Sequence, residues 1–456
     1  MKEFKSYLEY QDISSDWVDQ VPYHWEFCPV RRIFRSVNGA TPASENEDYW
    51  GGDIPWATPE DLGLLEGGTL LTTKRYITWE GYKACGTELV PKGSLLLSIR
   101  APVGYVSIAG KPICTNQGCR SLVPKKQVDT GYFYYQLSIL SDLLNNLSGG
   151  STFRELSSAT LASIPFALPP LEEQQKIAQF LDYQTAKIDR LIEKQQRLVD
   201  LLEEKQKAEI ARAVTSGLNP DVSFKDSDIS WLGRIPEHWQ IVYLKRAIKY
   251  SDYGISESIV QEGYVGVLRM NNIHGGEIFW DGLGFIDDAP RNLLLSPGDI
   301  LFNRTNSLDQ VGKVAIFRND KEFPVTFASY LVRLRPNNNT LSTYLNYLSR
   351  YLKEFGVSSA HSLPSISQTN LNPDRFGRIR ICLPPIKEQK EIVAWLDHKL
   401  EIIKHTKYKA FHTIERLKEY RTALISAVVT GKIDVRDWQP PETEAEGSDM
   451  EEALNG

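Results

Sequence analysis

The stretch Leu168–Gln174 (LPPLEEQ) occurs a second time at residues 383–389 (LPPIKEQ). The offset between the two copies is about 215 residues, far longer than the periods of solenoid or propeller repeats. The repeating unit is therefore a whole domain with a helix attached. A chain with two similar halves can present two similar surfaces, which favours a pseudo-symmetric partner such as duplex DNA.

A second motif repeats at the beginning of each half. It consists of Trp17, Pro22, His24 and Trp25 in the first half and of Trp231, Pro236, His238 and Trp239 in the second. The tryptophans stand beside prolines at the entry to each half. We therefore predict that they are packing anchors and not side chains that stack on bases.

Long helical periodicity follows each Pro-Pro pair. Neither predicted helix contains an internal Pro or Gly. Each begins directly after a Pro-Pro pair, where the N–H that proline lacks would have no partner within the helix. The first helix, from Leu171 to Thr215, would be about 67 Å long at 1.5 Å per residue. A helix of that length leaves an apolar seam exposed unless it has a partner. We predict that the two long helices pack antiparallel as a stiff rod that holds the globular parts apart.

The seam of each helix follows alternating steps of three and four residues, as in coiled coils. Its members in the first helix are Ile177, Leu181, Thr185, Ile188, Ile192, Val199, Leu202 and Ala213, with polar breaks at Gln195, Gln206 and Glu209. Its members in the second helix are Ile392, Leu396, Leu400, Ile403, Ala410, Ile414, Leu417, Leu424 and Val428, with breaks at Lys407 and Arg421.

The segments before the helices have the pattern of a mixed α/β fold with short strands. Strands are predicted within residues 93–99 and 114–123 and, in the second half, within 298–303 and 325–334. Short helices are predicted at Tyr132–Leu144 and Tyr344–Leu352.

The predicted fold class is therefore α/β (mixed α+β), with two similar globular domains joined by two long antiparallel coiled-coil helices in a pseudo-two-fold repeat. The predicted segments are a first globular domain at 1–166, a first long helix at 167–217, a second globular domain at 218–380, a second long helix at 381–438 and an acidic tail at 439–456 whose composition predicts disorder.

Composition sets the class of protein. The formal net charge is −6, and the tail 439–456 supplies six acidic residues without any Lys or Arg, so residues 1–438 are neutral. Neutrality permits a local basic cleft but does not argue for one. No apolar run is long enough for a membrane span, and the N-terminus lacks the pattern of a signal peptide. The five scattered cysteines indicate reduced thiols in a cytoplasmic protein.

The sequence lacks the motifs of the main enzyme classes that act on nucleotides or DNA. There is no phosphate-binding loop, no Asn/Asp-Pro-Pro-aromatic methyltransferase motif, no His-Glu-x-x-His and no Gly-x-Ser-x-Gly. His398, His405 and His412 recur every seven residues, which predicts a solvated helix flank and not a metal site. We therefore expect no catalytic residues, no metal and no cofactor in this chain.

Several polar loops follow apolar strands. In such loops, Arg can hydrogen-bond to guanine, Asn and Gln can hydrogen-bond to adenine, and hydroxyl groups can hydrogen-bond to phosphates. Arg100 and Arg304 occupy similar positions in the two halves by sequence. The predicted DNA-contacting residues are Arg100, Asn116, Gln117, Ser151, Thr152 and Arg154 in the first half and Asn271, Asn272, His274, Arg304, Asn306, Ser307, His361, Ser365 and Gln368 in the second.

The doubled LPPxxEQ motif and the doubled Pro-x-His-Trp motif resemble those of the specificity subunits of type I restriction–modification systems, over roughly residues 15–438. The resemblance implies two target recognition domains that each read one half of a bipartite sequence in double-stranded DNA. It also implies that the long helices dock methyltransferase (modification) subunits, expected in two copies, and that motor-nuclease (restriction) subunits join the complex. The acidic tail is not part of the family pattern.

Two other classes of protein remain open on the residues alone. One is a coiled-coil scaffold whose globular domains bind protein partners, and the other is an enzyme with an unfamiliar site. A DNA reader should lose sequence preference when Arg100 or Arg304 is replaced by alanine, whereas a scaffold has no such preference to lose.

Overall fold

The computed structural model describes residues 5–63, 68–149, 155–318, 321–364 and 368–440. The chain divides into two compact units, here called unit 1 and unit 2. Unit 1 comprises Met1–Gln195 and Thr413–Gly456, and unit 2 comprises Gln196–His412. Each unit therefore combines one globular domain with a part of each long helix.

Unit 1 is built on mixed sheets of short strands. Its five-stranded sheet has the order Phe34–Asn38, Cys119–Pro124, Leu95–Ser98, Val106–Ala109 and Thr69–Leu70. A three-stranded sheet has the order Cys114–Thr115, Trp50–Ala57 and Arg75–Ile77, and two further pairs join Pro165–Leu168 to Glu26–Pro29 and Tyr10–Asp12 to Gln20–Pro22.

Unit 2 repeats the core of this arrangement, with one strand fewer in its larger sheet. Its four-stranded sheet has the order Ile248–Tyr253, Leu331–Pro336, Ile300–Asn303 and Val314–Ile316, and its three-stranded sheet has the order Gly284–Ile286, Val265–Leu268 and Val325–Phe327. Smaller sheets pair Gln240–Tyr243 with Arg380–Leu383, Phe224–Asp226 with Arg234–Pro236, Ile273–His274 with Glu277–Ile278, and Thr305–Asn306 with Thr369–Asn370, which also pairs with Leu363–Pro364.

The register of the central strands gives a residue-by-residue equivalence between the units. Ser98 N–H donates to the carbonyl of Tyr105 at 2.8 Å, and Asn303 N–H donates to the carbonyl of Lys313 at 2.8 Å. The predicted internal repeat is therefore confirmed, since both the strand order and the backbone hydrogen bonds recur.

The short helices follow the prediction in unit 2 but not fully in unit 1. Ser342–Glu354 is one helix, whereas the segment predicted as Tyr132–Leu144 forms two helices, Thr130–Ser138 and Ser141–Leu147. The other α-helices are Val30–Ile33, Pro59–Gly63, Trp79–Ala84, Ser158–Ser163, Val357–Ala360 and Pro373–Gly377, and 3-10 turns lie at Glu47–Tyr49, Leu244–Arg246, Met270–Asn272 and Arg291–Leu293.

The two long helices run from Leu171 to Ser216 and from Ile386 to Val429. All seam positions predicted from the sequence are buried or half-buried. The basic interruptions of the second seam are ion-paired to the first helix: Arg421 with Asp189 at 2.9 Å in unit 1, and Lys407 with Glu203 at 2.6 Å in unit 2.

The direction of packing can be read inside unit 2. Glu203 lies opposite Lys407, and Arg212, further along the first helix, lies over the ring of Trp395, which precedes Lys407 in the second. The guanidinium carbon of Arg212 is 5.0 Å from the centroid of that ring. The two helical segments of unit 2 are therefore antiparallel, as predicted.

The doubled motifs meet each other within each unit. In unit 1, Glu173 accepts hydrogen bonds from the indole N–H of Trp25 at 3.0 Å and from Tyr7, and lies 2.9 Å from Nε2 of His24. In unit 2, Glu388 lies 3.0 Å from Nε1 of Trp239. Both tryptophans are almost fully buried, at 2% and 0% exposure, so their predicted role as packing anchors is confirmed.

The glutamine that follows each glutamate fixes the Pro-Pro turn. Gln174 Nε2 donates to the carbonyl of Pro169 at 2.7 Å, and its Oε1 accepts from Asp129 N–H at 2.9 Å. In unit 2, Gln389 likewise donates to the carbonyl of Pro384 at 2.9 Å. The Glu-Gln pair that the two copies share thus ties the start of each long helix to its own globular domain.

The described helices include none that is both long enough and apolar enough to cross a membrane. All five cysteines lie in the described part of the chain and are free thiols.

Candidate nucleic-acid interface

A cleft of about 500 Å³ opens in unit 1 between the loops that follow its short strands. Two predicted residues, Asn116 and Gln117, line this cleft. Its other walls are formed by residues of the neighbouring loops, namely Thr41, Trp56, Thr58, Glu60, Asp61, Lys74 and Arg75. The cleft therefore combines amide, hydroxyl and cationic groups, which can contact base edges and phosphates, with two carboxylates, one of which is ion-paired with Lys74.

Local hydrogen bonds fix the backbone of this cleft. Asn116 Oδ1 accepts from the N–H of Gly118 at 2.9 Å, which closes a tight turn between two strands. This turn divides the single strand predicted over 114–123 into two. Gln117 is exposed and its Oε1 accepts from the hydroxyl of Thr41, which leaves the amide group of Gln117 available as a donor.

The cleft also contains a stacked cation that sequence reasoning missed. The guanidinium carbon of Arg75 lies 3.4 Å from the centroid of the Trp50 ring and 5.4 Å from that of Trp56. Stacking on an indole holds the planar guanidinium in one orientation, which suits a bidentate contact. The adjacent basic pair Lys74–Arg75 was the only signal in the sequence, because the tryptophans lie about 20 residues away.

Arg100 lies at the edge of the same domain. Its Nε is 3.0 Å from Glu155 Oε2, and the side chain is 47% exposed. An exposed ion pair of this kind contributes little stability and is readily exchanged. Arg100 can therefore leave Glu155 for a phosphate or a base without much cost to the fold.

The equivalence that the sequence indicated between Arg100 and Arg304 is wrong by one residue. Because Ser98 corresponds to Asn303, Arg304 corresponds to Ile99 and Arg100 corresponds to Thr305. Successive residues of an extended chain point to opposite faces, so this shift reverses the face that the arginine occupies. The two units therefore present different side chains from one backbone framework.

Two contacts within unit 2 orient the side chain of Arg304. Its Nε donates to the carbonyl of Ser329 at 2.9 Å, and its guanidinium carbon lies 5.0 Å from the centroid of the Tyr253 ring. Tyr253 is 50% exposed and Tyr330 is 46% exposed, so aromatic surface borders this arginine. Neither tyrosine was predicted as a contact.

Three other predicted residues lie close to Arg304. Asn306 pairs with Thr369 across a short sheet, which places Gln368 beside it. The Nδ2 of Asn306 lies 3.7 Å from the sulfur of Met270, which is adjacent to the exposed Asn271. Asn271, Arg304, Asn306 and Gln368 are thus brought together on one edge of unit 2, and this set is called the second polar edge.

Asn272 does not belong to that edge, although the sequence predicted it as a contact. It is 1% exposed, its Oδ1 accepts from Arg269 N–H at 2.9 Å, and its Nδ2 donates to the carbonyls of Phe279 and Asp281 at 2.8 and 3.1 Å. The side chain holds its own turn and has no group left for DNA. In unit 1, Asp61 caps the equivalent turn by accepting from Thr58 N–H at 2.8 Å.

The remaining predicted residues are placed as follows. Ser307 is exposed beside Asn306, His361 is half-buried with Nδ1 2.9 Å from the carbonyl of Val357, and His274 lines a different cavity. Ser151, Thr152, Arg154 and Ser365 lie outside the described residues.

His398, His405 and His412 are exposed along the second long helix. Within the described residues, no group of three or more His, Cys, Asp or Glu is arranged to hold a metal ion.

Comparison with known proteins agrees with this architecture. Residues 22–200 and 255–414 match the family profile of the type I restriction modification DNA specificity domain. The MjaVIII specificity subunit of Methanocaldococcus jannaschii is 25% identical over 92% of this chain and 95% of its own length. The EcoKI specificity subunit of Escherichia coli is 21% identical over 91% of this chain and 90% of its own length.

Higher identity is confined to part of the chain. The MjaIX specificity subunit of Methanocaldococcus jannaschii is 39% identical over 44% of this chain, and this match spans under half of that protein, 46%. A solved structure from work on complex assembly and conformational transition of the type I R-M system superposes with a TM-score of 0.70 at 14% identity. It covers 91% of this chain and 99% of the other, which shows a common fold.

The chain belongs to the type I restriction–modification DNA specificity family, because the family profile covers most of both repeats. Its role is thus the recognition of DNA sequence, and the protein-binding scaffold is not favoured.

Proposed function

We propose that this chain is the non-catalytic specificity subunit of a type I restriction–modification complex in the cytoplasm, and that each unit reads one half of a bipartite duplex target. The observation that carries this proposal is the repetition of one strand framework that presents an arginine beside exposed polar groups in each unit. Two equivalent frameworks on one chain suit two half-sites of one duplex.

The two half-sites should differ in sequence. Arg100 and Arg304 occupy positions of the shared strand framework that differ by one residue. Asn116 of unit 1 corresponds to Ala328 of unit 2, because the N–H group of each donates a 2.9 Å hydrogen bond to the neighbouring strand. Base preference depends on which donor or acceptor faces the groove. Different side chains at equivalent positions therefore support an asymmetric target.

The proposed DNA contacts in unit 1 are Arg100, Asn116 and Gln117, joined by Lys74 and Arg75 of the same cleft. In unit 2 they are the second polar edge and Ser307, with His361 in support. Ser151, Thr152, Arg154 and Ser365 remain candidates from the sequence. Phosphate contacts should supply much of the affinity and make binding strongly salt-dependent.

Partner subunits would supply the chemistry. The long helices expose polar faces opposite their buried seams, and on the family resemblance we propose that methyltransferase subunits, two in number, dock there and that motor-nuclease subunits join them. The paired helices would then act as a spacer between the half-sites. The region of DNA between the half-sites would be unspecified.

An exchange of domains tests the modular part of the proposal. Residues 1–166 are replaced by the corresponding domain of a relative, and host DNA is sequenced for methylation in the presence of the partner subunits. We expect one half of the methylated sequence to change and the other to stay. A change in both halves, or in neither, would contradict the proposal.

A change in helix length tests the spacer. Insertion of four residues after Gln195, matched by four before Thr413, lengthens both helices by about one turn. The same sequencing should then show the same bases with a different number of unspecified base pairs between them. The control carries four extra residues in the exposed loop after Asp221, where the spacing should not change. An unchanged spacing in the lengthened helices would refute the spacer role.

A further inference from the structure

Unit 2 contains a cavity of about 530 Å³ that is lined by five cations, and it is here called the basic cavity. These cations are Lys207, Lys313, Arg350, Lys353 and Lys407. Only two carboxylates, Glu203 and Glu354, line the same cavity, which leaves an excess of three positive charges. Like charges that share a cavity repel each other, so the arrangement is costly unless an anion is bound.

The two carboxylates are already engaged. Glu354 lies 3.2 Å from Lys207 and 3.1 Å from Lys353, and Glu203 lies 2.6 Å from Lys407. In the part of the chain that the structure describes, Lys313 and Arg350 have no ion pair within 4.0 Å, although Asp309 lies near Lys313 and Glu277 and Glu354 lie near Arg350. These two cations are therefore the ones that an incoming anion would satisfy.

The position of Arg350 depends on its surroundings. A Cβ on Gly276 would lie 2.6 Å from Cδ of Arg350, so the glycine makes room for the arginine. The guanidinium carbon lies 5.5 Å from the centroid of the Tyr347 ring. Burial lowers the pKa of Arg350, and this effect outweighs the opposing influence of Tyr347, Glu277 and Glu354.

Unit 1 serves as an internal control for the basic cavity. Lys313 corresponds to Tyr105, because Asn303 and Ser98 make the same 2.8 Å backbone hydrogen bond to these residues. Arg350 corresponds to Ser138, since each lies three residues after a tyrosine that bonds an aspartate of a long helix: Tyr347 to Asp397 and Tyr135 to Asp182.

The cations from the long helices are also specific to unit 2. Lys407 corresponds to Ile192, because each lies 19 residues after the matched glutamate of its LPPxxEQ motif. Lys207 corresponds to Thr422, since each lies seven residues before the valine whose carbonyl accepts from Tyr344 or Tyr132. Lys353 lies in the last turn of the helix Ser342–Glu354. The equivalent helix of unit 1 ends earlier, at Ser138, so it has no position that corresponds to Lys353.

The same framework thus folds in unit 1 with none of the five cations. The basic cavity is not needed to build the fold, and its repulsion is retained only in unit 2. Lysine and arginine together suit phosphate oxygens, and an excess of three charges matches a short polyphosphate or successive backbone phosphates.

We propose that the basic cavity is a phosphate-binding site, separate from the base-reading surface, that takes a free polyphosphate or the backbone phosphates of a nucleic acid strand. Only the second source rests on the proposed function. Lys313 and Arg350 contact the phosphate oxygens directly, and Gly276 keeps the space that Arg350 needs.

The test uses the full chain and sodium tripolyphosphate, measured by isothermal titration calorimetry at low salt. Lys313→Tyr and Arg350→Ser introduce the residues that unit 1 carries at the same places. We expect binding to the parent chain and a loss of about tenfold or more in affinity for each variant, as for the removal of a charge-assisted hydrogen bond. Lys249→Gln, an exposed lysine of unit 2 outside the cavity, should bind as the parent does.

Folding of each variant is checked by its thermal transition without the anion, and Lys313→Gln is a milder variant for the same titration. The proposal fails if the parent chain does not bind tripolyphosphate or if folded Lys313 variants bind it as tightly as the parent. This arm contains no DNA, so its failure is distinct from a failure of the proposed function.

A second arm identifies the source of the phosphate. The salt dependence of affinity for a duplex is compared between the parent and Lys313→Gln. A slope of log affinity against log salt that falls by about one in the variant assigns the site to backbone phosphates. An unchanged slope, together with lost tripolyphosphate binding, assigns it to a free polyphosphate.

Discussion

The indole N–H of Trp25 donates a hydrogen bond to Glu173 at 3.0 Å, across 148 residues of sequence. One residue belongs to the motif that opens the first half, and the other to the motif that opens the first long helix. The second half repeats the contact between Trp239 and Glu388. The two motifs recur together because they are the two sides of one hydrogen-bonded joint.

Replacement of Glu173 by glutamine should destabilise unit 1. The side chain is only 6% exposed and accepts from Trp25 and Tyr7 while facing His24, and an amide cannot accept all of these contacts. We expect a loss of about 1–3 kcal/mol in the free energy of unfolding, measured by urea denaturation.

Glu172→Gln is the matched control, because the neighbouring Glu172 is exposed. It removes the same charge from the same helical turn and should change stability by less than about 0.5 kcal/mol. Equal effects from the two variants would show that charge at the helix start, and not the joint, accounts for the loss.

The glycine that ends the second long helix should not tolerate a side chain. Gly431 has φ +75°, and a Cβ there would lie 2.3 Å from Cδ of Pro22. Gly233 has φ +66° with no atom within 4 Å of the added Cβ, so Gly233→Ala measures the backbone strain alone. We expect about 1–2 kcal/mol for Gly233→Ala and clearly more for Gly431→Ala by the same denaturation. Similar values would mean that the contact with Pro22 can relax.

Removal of Arg304 should relax the preference for one base pair in one half-site. Its guanidinium is oriented by the carbonyl of Ser329 and by Tyr253, as a bidentate base contact requires. We expect Arg304→Ala to lose about 1–3 kcal/mol of discrimination at that position, measured by selection from a duplex library.

Arg291→Ala is the control for this experiment, since Arg291 is exposed in unit 2 but outside the second polar edge. It should leave the selected sequence unchanged. If Arg304→Ala weakened binding equally to all sequences, Arg304 would be a phosphate contact and not a base contact.

The thiols should differ sharply in reactivity. Burial raises the pKa of both Cys114 and Cys382 to about 12, and it also raises the pKa of Cys28 and Cys119. The thiolate is the reactive form, so at pH 8, far below a raised pKa, these thiols should react slowly. We expect N-ethylmaleimide to label the half-buried Cys85 first, as followed by peptide mass spectrometry.

Cys85→Ser should remove the fast phase of labelling, and denaturant should expose the other thiols together. Fast labelling of Cys114 in the folded protein would contradict the burial seen at that strand.

The repeat, the long helices and their seam could be predicted from the sequence because each has a signal of short period or exact recurrence. The two basic residues that interrupt the second seam, Lys407 and Arg421, form ion pairs with acidic residues of the facing helix. The division of the helix in unit 1 after Ser138 could not be predicted, because Ile139 and Leu140 are apolar and fit either conformation.

The candidate interface was predicted less well, for a physical reason. Some polar side chains form hydrogen bonds within their own loops and cannot contact a ligand, whereas others stay exposed. Residue type alone does not distinguish the two cases. Asn272 is hydrogen-bonded within its own turn, whereas Asn271 beside it is exposed. Arg75 acquires its orientation only from tryptophans that the fold brings to it.

The N–H of Asp434 donates to the carbonyl of Lys5 at 2.8 Å, which joins the two ends of the described chain in unit 1. Unit 1 is thus built from residues that precede unit 2 in the sequence and from residues that follow it. During synthesis, unit 1 can therefore complete its contacts only after the whole of unit 2 has been translated.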